Sequence, residues 1–348
     1  MTHPITTGST KGRGRMFKNG IVVSCLYRGR RALVASVVLM VLPVGLVGVS
    51  SALAKQPAGD FAVFKQCPRF TTGVNLCLYS QITGVTTLNK LSVPIVSPVT
   101  LQFGIVFDPT TEKETVVGAL NGETLSPTPQ PVPGGLSSLI DCNEIKDRGF
   151  LGRIRRGACR AILDNHWFTA VNETTELAVP ADEISVNKNN ELAGVGTALS
   201  LPVRIHLENP LLGRDCYIGS STNPIVFNLT VGTTNPPPPN EPITGKFGLI
   251  GAKDEFEFIE VTGHTQVDNT FSAPAATGCG GPLAFLIDPL INSKIGLPSP
   301  AGYNTVIHSG YVNQGTTVGV IASEQEQPNE KNHERKHDRE TGPHHWWH

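Results

Sequence analysis

The stretch Ser200-Leu-Pro-Val-Arg-Ile-His-Leu207 carries the clearest fold signal in this sequence. Apolar and non-apolar residues alternate along it, which is the period of a β-strand with one buried face. The apolar set is Leu201, Val203, Ile205 and Leu207. Proline is tolerated where a strand begins or at a sheet edge, so we expect Pro202 to mark one of these places.

Segments of similar composition flank this strand on both sides, at residues 61–64, 76–82, 100–107, 115–120, 224–231 and 256–261. The chain also holds 36 Gly and 27 Pro, which favour short strands joined by turns over long helices. One helix is predicted near 282–295, where apolar residues recur at helical spacing and Pro289 limits or kinks it. We therefore predict an all-β fold: a β-sandwich-like body of short strands with one short helix, stapled by three disulfides.

An apolar run near the start of the chain predicts export. Arg28, Arg30 and Arg31 precede residues 32–49, which are 18 residues without a charge, and small residues follow up to Ala54. This order is typical of a signal peptide cleaved after Ala54. The alternative is an uncleaved membrane anchor, because 18 apolar residues lie near the lower limit for spanning a bilayer.

Cleavage at this site would change the charge of the protein. Residues 1–54 hold seven Lys and Arg and no acid, so the remaining chain has 21 basic and 29 acidic residues, net −8. General nucleic-acid binding is not expected of so acidic a chain. We predict a secreted, extracellular protein, with association with the cell wall as an alternative. Contact with a membrane is expected only through the transient signal segment.

The sequence suggests three regions: an N-terminal extension with the signal peptide at 1–54, a secreted β-rich body at 55–322, and a charged, His-containing disordered tail at 323–348. The start codon is Met1 or Met16. Alternating strands at 101–107 and 201–207 hint at two related β-units with a boundary near 170–180. Because any alternating strand has this pattern, a single body is the simpler interpretation.

Six cysteines remain once Cys25 is removed with the signal: Cys67, Cys77, Cys142, Cys159, Cys216 and Cys279. An even number in an exported chain indicates three disulfides. Pairing in sequential order closes the shortest loops and is favoured, although counting does not exclude other pairings. No metal site is predicted, because no two cysteines have the short spacing of zinc ligands.

Motifs for catalysis are weak. Residues 333–337 spell H-E-x-x-H, yet a zinc protease needs this motif on a helix with an apolar back, and residues 323–340 have no apolar side chain beyond Pro328. The serine-hydrolase pattern G-x-S-x-G does not occur. His206 and Glu208 are expected on the solvent face of their strand. We predict no catalytic residue and no cofactor.

Three further histidines, His166, His264 and His308, have no recognisable catalytic acid or nucleophile near them in sequence. A site assembled from distant loops therefore stays open.

Arginines crowd into or beside the Cys142–Cys159 segment, with Lys146 among them: Arg148, Arg153, Arg155, Arg156 and Arg160. On an acidic protein this Arg-rich loop, residues 146–160, is a candidate anion-binding site for a polymer of the cell wall, through bidentate contacts. The alternative is a solvated loop whose arginines pair with nearby acids. Those acids are Asp141, Glu144 and Asp147.

Several segments resemble an uncharacterised family of secreted actinobacterial proteins: residues 61–67, 201–210, 216–220, 278–281 and 285–289. The resemblance covers most of residues 60–321 and implies export and a bacterial origin, but no catalytic residue or ligand. The leading hypothesis is a non-catalytic structural or interaction protein whose partner is a wall polymer or another surface protein. An extracellular hydrolase and a polyanion-binding module are the alternatives.

Overall fold

A computed structural model describes residues 55–111, 113–147, 149–164 and 168–324. The predicted signal peptide, the H-E-x-x-H motif, His166 and Arg148 lie outside the described residues.

Thirteen strands and five α-helices run through the described part of the chain. The strands are β1 (Val74–Leu88), β2 (Leu91–Asp108), β3 (Lys113–Gly118), β4 (Gln130–Pro131), β5 (Asn172–Leu177), β6 (Ser185–Val186), β7 (Leu199–Glu208), β8 (Tyr217–Ile218), β9 (Ile225–Leu229), β10 (Leu249–Lys253), β11 (Phe258–Asp268), β12 (Ala276–Thr277) and β13 (Asn304–Thr316). The helices are α1 (Leu136–Leu139), α2 (Phe150–Leu163), α3 (Lys188–Ala193), α4 (Ala284–Ile295) and α5 (Thr317–Ser323).

These strands form two antiparallel sheets. The first sheet has the order β10-β11-β13-β1-β2-β3, and the second has the order β12-β8-β7-β5-β4, with β6 and β9 also paired to β7. The predicted all-β fold is confirmed. Two strands that share a sequence pattern, β2 and β7, belong to different sheets.

Strand β7 lies at the centre of the second sheet. Its four alternating apolar side chains are at most 2% exposed, as the sequence predicts. The carbonyl of Pro202 accepts a hydrogen bond from the Ala178 amide (3.1 Å), so the proline nitrogen points to the same side of the strand. On that side, β6 pairs with β7 as far as Ser200, and the pairing of β5 with β7 starts at Val203. The proline therefore sits in a gap between neighbouring strands, where no ladder hydrogen bond is lost.

The main core fills the space between the sheets. Phe103 and Ile105 of β2 and Ile205 and Phe227 of the second sheet are buried in one cluster, each at most 1% exposed. Burying side chains of this size stabilises the fold by about 1.5–3 kcal/mol each.

A smaller cluster forms around Phe258 of the first sheet. Residues 61–64, predicted as a strand, belong instead to a 3₁₀ helix over Gly59–Phe64. Phe61 and Phe64 are three residues apart, so one helical turn brings both rings against Phe258, with ring centroids 5.6 and 5.8 Å away. The helical conformation buries both rings, whereas a strand would place them on opposite faces.

Three disulfides are present, and they join the cysteines in sequential order: Cys67–Cys77, Cys142–Cys159 and Cys216–Cys279. The first links the residues after the 3₁₀ helix to β1. The second links the segment before α2 to that helix, and the third joins the β8 region to the β12 region.

Helices confirm one detail of the sequence prediction and correct another. The predicted helix is present as α4, with Pro289 inside it. The residues interpreted as an Arg-rich loop contain most of α2, a helix of 14 residues. Its arginines and apolar residues recur at helical spacing and no proline interrupts them, which is the signal that the strand-and-turn interpretation missed. None of the helices in the described ranges is long and apolar enough to cross a membrane.

Candidate functional site

A cavity of about 310 Å³ lies between the two sheets. Strands of both sheets supply its walls, and most of the lining side chains are aliphatic or aromatic. They include Leu78, Phe103, Val261 and Val312 from the first sheet and Leu201 and Leu229 from the second. Its volume falls at the small end of the range seen for ligand pockets.

The cavity opens to solvent between α3 and β10. Leu192 of α3 and Ile250 of β10 both line it, yet they are 68% and 61% exposed. Phe247 lies half-buried beside them. Strand β10 is the edge of the first sheet and all five of its residues are exposed, so an apolar rim surrounds the opening.

A polar cluster lines part of the cavity wall. Glu191 of α3 accepts a hydrogen bond from His264 Nε2 (2.5 Å) and another from Gln266 Nε2 (3.1 Å). Burial raises the pKa of Glu191 and lowers the pKa of His264 to about 4. At neutral pH the imidazole is therefore uncharged, and its Nε2 shares one proton with the Glu191 carboxyl.

A bulge in β11 aims His264 into the cavity. The pairing register of β11 and β13 shifts between Thr262 and His264, and Gly263 has φ 64°. The extra residue places Val261 and His264, three positions apart, on the same face of the sheet. Both line the cavity. Strict alternation would have turned the imidazole away from it.

His308 is the second imidazole in the cavity. It lies opposite Gln266 on the neighbouring strand β13 and is 7% exposed. Burial lowers its pKa to about 4, so the ring is neutral at physiological pH. Its edge packs against Phe227, with centroids 6.1 Å apart. Among the described residues, none forms a hydrogen bond with this ring, and the ring faces the cavity.

One of the histidines noted in the sequence, His264, thus acquires an acid that the sequence did not reveal. Glu191 precedes His264 by 73 residues, and only the packing of α3 over the first sheet joins them. The alternation of β11 would have suggested the wrong face for His264. The only sequence signal for the pair is Gly263, because a glycine within a strand often marks a bulge.

His206 and Glu208 lie on the outer face of the second sheet, as expected. His206 stacks on Tyr217 with ring centroids 4.4 Å apart, and its Nδ1 lies 3.6 Å from Glu208. Glu176 is 3.7 Å from the same nitrogen. These side chains do not line the cavity.

The predicted anion-binding arginines are mostly engaged within the protein. Arg155 pairs with Asp147, Arg156 donates to the carbonyls of Ile145 and Asp147 (both 2.9 Å), and Arg160 donates to Asn143 (2.8 Å). Of the predicted acidic partners, Asp147 alone forms an ion pair with an arginine of α2 in the described structure. The guanidinium of Arg153 has no partner among the described residues.

No Ser, Thr or Cys side chain in the described ranges hydrogen-bonds to His264 or His308, so those ranges hold no nucleophile–imidazole pair of the serine- or cysteine-hydrolase type. Within those ranges, no group of three or more His, Cys, Asp or Glu side chains is arranged to hold a metal ion.

No protein-family model, curated protein or solved structure matches this chain. The resemblance to secreted actinobacterial proteins therefore stays a prediction.

Proposed function

We propose that this is an exported, non-catalytic binding protein that holds a small apolar molecule with one uncharged polar end group in the cavity between its sheets. Export is supported by the apolar segment before Ala54 and by the three disulfides. The work of the protein then takes place outside the cell or at its wall.

The observation that carries this proposal is an apolar cavity with one unpaired imidazole. Burying an apolar molecule there is favourable by roughly 25 cal/mol for each Å² removed from water. A ligand hydroxyl or carbonyl that pairs with His308 would add a hydrogen bond worth about 0.5–1.5 kcal/mol.

The end group is expected to be uncharged. Both imidazoles are neutral at physiological pH, so neither offers a positive charge to an anionic ligand. The lining includes the acid Glu191 and one basic residue, Lys188, whose ammonium lies 3.4 Å from Glu114. A carboxylate in the cavity would therefore be poorly compensated.

Titration with dodecanol, followed by calorimetry or protein NMR, tests this proposal. We expect saturable binding of dodecanol and weaker binding of dodecanoate. Val312→Phe fills the cavity and should weaken dodecanol binding by about tenfold or more, where tenfold corresponds to about 1.4 kcal/mol. The matched control is Val318→Phe, at a position that is 70% exposed in α5 and outside the cavity. Equal binding by both variants would contradict the proposal.

Replacement of the unpaired imidazole separates the polar contact from the apolar one. His308→Leu should weaken the binding of dodecanol while leaving the binding of dodecane less affected, because an alkane has no hydrogen-bonding group. Turnover of p-nitrophenyl esters that disappears in His264→Gln would favour the hydrolase alternative instead.

A further inference from the structure

Helix α2 differs from an ordinary surface helix because its apolar residues are exposed to solvent. Its apolar residues Phe150, Leu151 and Ile154 are 71%, 65% and 51% exposed, and the buried residue is Gly152. Surface helices normally turn their apolar stripe to the core. Packing against the hydrophobic core therefore does not account for the apolar face of α2.

The side of α2 that carries Gly152, Arg156 and Cys159 is held against the preceding segment, whereas Arg153, Arg155 and Arg160 are exposed. Arg156 donates to two backbone carbonyls of the preceding segment, Arg160 donates to Asn143, and Gly152 lies against the carbonyl of Asp147. The Cys142–Cys159 disulfide ties the same segment to the helix. The helix is therefore fixed with its apolar face turned outward.

A neighbouring helix adds exposed apolar residues beside the last turns of α2. Phe285 and Leu286 of α4 are 72% and 42% exposed, and together with Ile162 of α2 and Leu211 they line one open groove of about 650 Å³. Exposed apolar surface gathered in one place marks an interaction site more often than scattered residues do. We call the exposed apolar residues of α2, α4 and Leu211 the α2–α4 face.

Charge distinguishes this region from the rest of the chain. Residues 141–164 hold six Lys and Arg and four Asp and Glu, net +2, whereas residues 55–348 taken together have net −8. Helix α2 itself has four arginines and no acid. An anionic surface would thus be attracted to the region of α2 more than to the chain as a whole.

We propose that the α2–α4 face docks on the surface of a bilayer that contains anionic lipids. The exposed apolar side chains would enter the boundary between headgroups and acyl chains, and the guanidinium of Arg153 would meet lipid phosphates. This inference is independent of the cavity. It also differs from the expectation that the protein meets a membrane only through its signal segment.

Two other occupants fit the surface less well. A hydrated wall polymer would leave the apolar side chains of the α2–α4 face in water. A second copy related by twofold symmetry would bring two basic helices together. An anionic lipid surface satisfies both the apolar side chains and the positive charge.

Flotation of the exported chain with lipid vesicles tests the proposal. We expect binding to vesicles of phosphatidylglycerol with phosphatidylcholine, weaker binding to phosphatidylcholine alone, and a loss of binding as salt screens the charges. The double substitution Phe150→Ser with Leu151→Ser should weaken binding by about tenfold or more. Phe285→Ser should act in the same direction.

The matched control is Leu249→Ser with Ile250→Ser on β10, where two adjacent apolar residues are 73% and 61% exposed on another part of the surface. This variant should bind vesicles as the unchanged chain does. Three results would overturn the proposal: equal loss in both double variants, binding of soluble poly(glycerol phosphate) that survives Phe150→Ser with Leu151→Ser, or a dimer that this variant abolishes without any vesicle binding.

Discussion

Three buried residues of this protein, Glu173, His264 and His308, are held in uncharged forms at neutral pH. Glu173 is 2% exposed and lies opposite Leu207 of β7, so its carboxyl shares the buried face of the second sheet. Burial raises the pKa of Glu173 to about 8. The folded protein therefore keeps a proton on this side chain at neutral pH, while the unfolded chain loses it above its ordinary value of 4.5.

Substitution of Glu173 should make the protein more stable at neutral and mildly alkaline pH. Between the unfolded and folded pKa values the native state binds more protons, so stability falls as pH rises, by up to about 1.4 kcal/mol per pH unit. Glu173→Gln removes this dependence. Urea unfolding from pH 5 to 8 should show a growing advantage of the variant, and a constant difference would count against a protonated Glu173.

The two cavity imidazoles predict the opposite trend at low pH. His264 and His308 keep pKa values of about 4 in the folded protein, against 6.5 unfolded. The unfolded state takes up protons first as pH falls from 6.5 to 4, so each imidazole lowers stability by up to about 1.4 kcal/mol per pH unit in that window. His308→Gln should flatten the acid side of a pH–stability curve; an unchanged slope would show that His308 titrates normally. Glu191 and Gln266 are the polar neighbours on the facing elements, and neither changes in this variant.

At the scale of elements, two glycines of α2 test how closely the helix packs against the segment before it. An alanine Cβ at Gly152 would overlap the carbonyl oxygen of Asp147, whereas nothing lies within 4 Å of one at Gly157. Gly157→Ala should stabilise the protein by about 0.5–1 kcal/mol through helix propensity. Gly152→Ala should instead destabilise it by about 1–3 kcal/mol, because the helix must move away from the segment before it.

Thermal unfolding of the two variants side by side measures this difference. Both substitutions add one methyl group to the same helix, so the contribution of helix propensity cancels in the comparison. The remaining difference in stability reports how closely α2 packs against the segment before it. Equal effects would mean that Gly152 does not contact the Asp147 carbonyl in solution, and the outward orientation of the apolar face would lose its support.

For the whole molecule, the disulfides should contribute unequally. Cys216 and Cys279 are 63 residues apart in sequence, and Cys142 and Cys159 are 17 apart. Restricting the unfolded chain predicts a contribution of about 4 kcal/mol for the longer loop and about 3 kcal/mol for the shorter one. Replacing each pair by serines and measuring unfolding in urea should rank them in this order. A larger loss for the Cys142–Cys159 pair would show that the bridge acts through the native position of α2.

Much of the fold could be predicted from the sequence. Alternation along β7 gave the correct buried face, and the even cysteine count and short spacings anticipated the three bridges. The wrong predictions occurred where a strand pattern and a helix pattern both fit the same residues. Phe61 and Phe64 have the composition of a strand, yet a helical turn lets both rings reach Phe258. The arginines near Cys159 look like a loop until their helical spacing is considered.

By itself, the amino-acid sequence determined the β-rich class, the buried face of β7 and the number of bridges, because each follows from local periodicity or from counting. The candidate site was decided by the tertiary structure alone. The pairing of Glu191 with His264, the cavity between two sheets and the outward apolar face of α2 all depend on contacts between segments far apart along the chain. Local pattern cannot encode such contacts, since the free energy of burial depends on which surfaces meet and not on their separation in sequence.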